Sequence, residues 1–185
     1  MLRTFLLSLL LFLSIMAVKA QTFSKVPKYM SFELGYRYLP ATSFDIKNQG
    51  ITLLFDYAWQ LSGFTGKPAA YISIPIGYTY LFAGNGSESG RILSYGWRVK
   101  HDLKADTKVT PFLGYGLLLN QLSVSNTEGQ VFGHQTCFDY GYRFKTSKKS
   151  DYFVMLEYSY SRYPHLGAKK SDSIHAIELK AGIRF

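Results

Sequence analysis

The chain places carboxylates and bases in one phase of its alternating segments. Glu33, Asp56, Asp139, Glu157 and Glu178 share that phase with Arg37, Arg98, Lys100, Arg143, Lys180 and Arg184. Paired carboxylates can do general acid–base work, and Glu157 and Glu178 fall on consecutive segments. The near balance of acids and bases points to a different chemistry. A charge taken out of water persists only when it is paired and hydrogen-bonded. This set therefore predicts an internal ion-pair network.

A second group could act on lipids. Ser161, His165 and His175 supply a hydroxyl and two imidazoles, the raw material of a nucleophile with its base. Arg162, His165, Lys169 and Lys170 cluster around the last long connection. Arg and Lys bind phosphate strongly, so these four are expected to contact lipopolysaccharide. The remaining histidines, His101 and His134, add no metal-ligand spacing, and no Gly-rich phosphate loop occurs. Cys137 is the single cysteine, so it forms no disulfide within the chain. Neither metal nor cofactor is expected.

Strands must position these side chains. Period-two alternation marks eight segments, near 28–38, 49–61, 69–82, 91–103, 109–122, 132–144, 152–163 and 174–185. Each has about the length that a tilted strand needs to cross a bilayer. Met30, Phe32, Leu34, Tyr36 and Tyr38 oppose Ser31, Glu33, Gly35 and Arg37, and the other segments repeat the pattern. The apolar rows face lipid, because an unpaired charge there costs about 2–4 kcal/mol at the midplane. Gly35, Gly77, Gly96, Gly114, Gly116, Gly141 and Gly182 fall in the inward phase and leave room for long side chains. An eight-stranded barrel is just wide enough to be filled by side chains, so the interior reads as plugged. Pro75 interrupts the third segment; it predicts a bulge, or a weakened seam through which an acyl chain could enter sideways.

Composition fits the same class. Aromatic residues make up 17% of the chain, while the mean hydropathy is only −0.02. Residues 1–20 read as a cleaved secretory signal, with Arg3, an apolar run and a small residue before Gln21. Residues 21–185 form the barrel domain, with both mature termini in the periplasm of a Gram-negative cell. Removing Arg3 and Lys19 takes the formal charge from +9 to about +7. A basic surface beside anionic lipid is the economical reading, and no nucleic-acid partner is implied. Gly182, Ile183 and the final Phe185 read as the signal recognised by the barrel-assembly machinery. Oligomeric state is left open.

The chain resembles the small outer-membrane barrels of the OmpA/OmpX type. Its C-terminal part is similar to the lipid A deacylase (PagL-like acyloxyacyl hydrolase) barrels. The similarity rests on Thr110-Pro-Phe-Leu-Gly-Tyr-Gly, Asp139-Tyr-Gly-Tyr-Arg-Phe, Leu156-Glu-Tyr-Ser-Tyr-Ser-Arg-Tyr and Glu178-Leu-Lys-Ala-Gly-Ile-Arg-Phe. That family carries a His-x-Ser-Asn run at the outer end of its seventh strand, with His as base and Ser as nucleophile. The corresponding stretch here is Ser161-Arg162-Tyr163-Pro164-His165, without a His two places before the Ser. The inherited triad is thus absent. Two functions stand side by side: a non-enzymatic barrel contacting lipopolysaccharide or other envelope components, and a lipid A hydrolase with a rearranged site.

Overall fold

The computed structural model describes residues 27–41, 48–63, 67–83, 89–105, 107–125, 130–146, 150–164 and 172–185. The expected signal segment, His165, Lys169 and Lys170 lie outside these residues. Eight strands follow one another: β1 (Lys28–Ala41), β2 (Gln49–Gln60), β3 (Ala70–Leu81), β4 (Gly90–Asp102), β5 (Val109–Val124), β6 (Gln130–Lys145), β7 (Asp151–Tyr163) and β8 (Asp172–Arg184). Every strand pairs antiparallel with its sequence neighbours, and β8 returns to β1, closing the barrel. Closure leaves no unpaired strand edge. The ends of the strands depart from the sequence expectation by three residues or fewer.

Register follows from the alternation. A one-residue slip would turn every lipid-facing side chain inward, so each seam is fixed by its own apolar row. Leu34 pairs with Leu53, and Leu156 with Leu179, all on the outer face. These leucines are among the most exposed side chains, from 55% to 63%. Toward the strand ends the outer face turns aromatic, with Tyr36, Tyr38, Tyr80 and Tyr158 at one end and Tyr57, Trp59 and Tyr142 at the other. An aliphatic band between aromatic girdles is what a hydrocarbon layer with two interfaces selects.

Pro75 does not produce the expected bulge. The β3–β4 register is the same on either side of it, Ser73 opposite Arg98 and Ile76 opposite Tyr95. What is missing is the pairing of Ile74 and Pro75 with Trp97 and Gly96. A proline lacks only its N–H, so the ladder loses a bond without gaining a residue. The one register shift among the described pairs lies instead between β1 and β8, from Tyr38 to Ala41.

The interior is layered. The end where β1 begins and β8 finishes is the terminal end, and the opposite one the far end. Toward the far end Leu39, Leu81, Ile92, Leu122, Val124, Tyr163, Ile174 and Ala176 pack into a dry cluster across the lumen. The sequence predicts a plugged, charge-filled lumen; at this end the plug is apolar instead. The charged layer lies in the middle, and Phe112, Phe153 and Met155 form a small apolar patch on one wall nearer the terminal end.

Candidate functional site: a charged lumen between two basic rims

Local sequence explains how the charged layer is assembled. Asp139, Glu157 and Glu178 stand opposite one another on β6, β7 and β8, three carboxylates in one row. Such a row is tolerable only if cations reach it. Arg98 from β4 is fully buried and binds Glu33 at 3.2 Å, Asp139 at 3.5 Å and Glu157. Lys180 donates to Glu157 at 2.7 Å and lies 3.6 Å from Glu178. Arg37 donates through Nε and Nη2 to Glu178, at 3.2 and 3.1 Å. Lys100 completes the layer on Glu33 at 2.9 Å and Asp56 at 3.5 Å.

Glycines make the space. A Cβ at Gly114 would overlap the Asp139 carboxylate, and one at Gly116 would meet the Arg98 stem and the Cys137 sulfur. At Gly35 it would strike Glu178 and Lys180. Gly141 and Gly182 serve aromatic neighbours instead, Phe112 and Phe153. The small inward row of β5 is thus the complement of the long side chains on β4 and β6.

A second ion group sits at the terminal end. Arg143 makes a two-pronged contact with Asp102, at 3.0 and 2.9 Å, and lies 3.5 Å from Asp151. Arg184 binds the same Asp151 and lies over the Tyr29 ring at 4.4 Å. Sequence reasoning placed Arg143 and Arg184 in the lumen and missed both acids. Asp102 ends β4 and Asp151 begins β7, where alternation fades into turn. Their spacing from Lys100 and Phe153 was the available signal, since both share those residues' phase.

Charge is sorted between inside and outside. Glu33, Asp56, Asp102, Asp139, Asp151, Glu157 and Glu178 each take part in a lumen ion pair. Exposed cations stand at both rims: Lys28, Lys67, Lys104, Lys108 and Lys145 at the terminal rim, Arg91 and Arg162 at the far rim. Arg162 projects outward beside His134, its cross-strand neighbour.

The proposed nucleophile and base are separated by the sheet itself. Ser161 points inward, 3% exposed, where its hydroxyl donates to Gln135 at 3.3 Å and accepts from Asn120 at 3.2 Å. His175 points outward and shares a 2.7 Å hydrogen bond with the Tyr158 hydroxyl. Residues of opposite phase on adjacent strands cannot form a nucleophile–base pair, so the Ser161–His175 site is corrected. Glu157 and Glu178 are adjacent, as the sequence implied, but Lys180 sits between them. Among the described residues no group of three or more His, Cys, Asp or Glu side chains is placed to hold a metal ion.

A closed eight-stranded antiparallel barrel with an apolar exterior and a paired, polar interior defines a class, the small transmembrane β-barrels. The chain belongs to the outer membrane protein beta-barrel domain family, which it matches over residues 5–185. Among solved structures it is similar to Neisserial surface protein A, with 16% identity over 85% of this chain and 95% of that one, and a TM-score of 0.66. The outer membrane enzyme PagL aligns at 15% identity over 81% and 97%, with a TM-score of 0.52. OprG from Pseudomonas aeruginosa aligns at 10% identity over 85% and 95%, also with a TM-score of 0.52. At these identities the likeness is one of fold. No curated protein matches the chain.

Proposed function

We propose that the protein is a plugged, non-enzymatic barrel of the Gram-negative outer membrane whose basic far rim contacts lipopolysaccharide. In this reading the terminal end lies in the periplasm and the far end faces out. The observation that carries it is the charge sorting: the lumen acids are paired inside, while exposed cations stand at both rims, at the level of anionic headgroups. Arg162 is held outward on β7 at that level, and His165, Lys169 and Lys170 follow it along the chain. Arginine pairs with phosphate in a two-pronged geometry that lysine cannot reproduce, so Arg162 is the anchor of the set.

The final strand supports the assembly role expected of it. Ile183 and Phe185 lie on the lipid side, and Phe185 packs 5.9 Å from the Phe32 ring. Gly182 faces the lumen beneath the Phe153 ring. Insertion through the barrel-assembly machinery would read this outward pair.

The test is lipid retention. Replacing Arg162, Lys169 and Lys170 together with Ser should reduce the lipopolysaccharide that co-purifies with the barrel, while cold and boiled samples still differ in gel mobility. Undiminished retention by a folded variant would refute the contact.

A further inference from the structure

The far end of the lumen is closed by its apolar cluster, whereas the terminal end is hollow. A cavity of about 330 Å³ occupies that mouth, bounded by strand ends and turns that include Lys28, Gln60, Lys67 and Asp151. Beneath it lies a chamber of about 40 Å³. Tyr29, Tyr71, Asp102, Arg143 and Arg184 border both spaces, so the two are adjacent across these side chains. The barrel is a cup with a floor.

The chemistry of the cup changes with depth. At the mouth Lys28 and Lys67 are exposed, and the acids that line the cavity, Asp102 and Asp151, are already engaged by Arg143 and Arg184. The mouth therefore favours an anion. At the floor two buried atoms have no hydrogen-bond partner in the protein, Asp56 Oδ1 and Ser73 Oγ. Both residues are 2% exposed and line the inner chamber. A buried acceptor left unpaired costs about 1–3 kcal/mol, so these atoms call for donors from outside the chain. The chamber has room for roughly two or three waters, or for hydroxyl groups that replace them.

We propose that this cup binds a small hydroxylated anion of the sugar-phosphate or sugar-acid class. Lys28 and Lys67 hold the charged group at the mouth, and hydroxyls of the ligand reach Asp56 and Ser73 on the floor. The mouth cavity lies at the small end of the range used for ligand sites, which suits one sugar ring. Phosphate and carboxylate share the anion chemistry. Their sources would be a free sugar phosphate or an acidic sugar of the envelope glycan.

Calorimetric titration of the refolded full chain in zwitterionic detergent tests the proposal. The probes are glucose 6-phosphate, inorganic phosphate, glucose, and a soluble glycan fragment containing muramic acid. Glucose 6-phosphate should bind at least about tenfold more tightly than inorganic phosphate, and glucose should give no heat. Lys28→Gln with Lys67→Gln should weaken it by about tenfold or more, while Lys104→Gln, at the same rim but outside the cavity, should not. Ser73→Ala should weaken glucose 6-phosphate and leave inorganic phosphate unchanged. Binding of the glycan fragment alone, with the same dependence on Lys28, Lys67 and Ser73, would support the site and assign its source to the envelope. The proposal is overturned if no anion binds to a barrel of normal gel mobility. It is equally overturned if Lys104→Gln weakens binding as much as the paired substitution, or if Ser73→Ala affects both phosphates alike.

Discussion

At the scale of single residues, Arg98 is the centre of the lumen. Among the described cations it alone reaches acids from β1, β6 and β7, and its side chain is fully buried. Breaking a buried pair by removing one partner costs about 3–5 kcal/mol, because the other charge is stranded. Arg98→Met keeps the volume and removes the charge, leaving Glu33, Asp139 and Glu157 short of a cation. The urea concentration that unfolds half the barrel, read from the fraction of the fast-migrating folded band, should fall accordingly. A midpoint equal to that of the unaltered protein would show that the network is not needed for stability. The charged residues themselves were legible from phase, since an inward Arg or Glu in a barrel has few alternatives to pairing. Asp102 and Asp151 were not, because each stands at a strand end where phase is indistinct. Ser161 and His175 stood open as partners because sequence alone places each only to within a residue or two; register puts them on opposite faces.

At the scale of strands, the eight segments and their order were readable because lipid outside and charge inside impose a strict period of two. The apolar plug was not readable by the same rule. Leu39 and Leu81 occupy inward positions, but their neighbours Tyr38, Tyr80 and Phe82 are aromatic, so alternation fades there. The stretch Tyr80-Leu81-Phe82 carried that signal. Pro75 is the other feature that pattern alone misjudged. Its effect is confined to the seam between β3 and β4, opposite Gly96, with register intact. Pro75→Ala restores an N–H at that point. Hydrogen exchange should then slow around Gly96 and Trp97 while the other seams keep their rates. Unchanged exchange at Gly96 and Trp97 would mean that the gap in pairing does not weaken the seam.

At the scale of the whole molecule, the lumen, its far-end plug and the two rims divide the work. The ion-pair layer fills the middle, the apolar cluster seals the far end, and the surplus positive charge is left at the membrane interfaces. A barrel built this way meets its surroundings at the rims and through the cup at its terminal end, not through a passage. An ion entering the apolar cluster would lose its hydration with no partner to replace it, a cost far above thermal energy. The most direct measurement is conductance across a planar bilayer containing the refolded protein, with folding checked by cold-versus-boiled gel mobility. The account predicts a silent membrane at both polarities. Steady, ohmic channel openings that scale with the amount of folded protein would contradict it, because a continuous aqueous path would have to run through the cluster of Leu39, Leu81, Ile92, Leu122 and Tyr163.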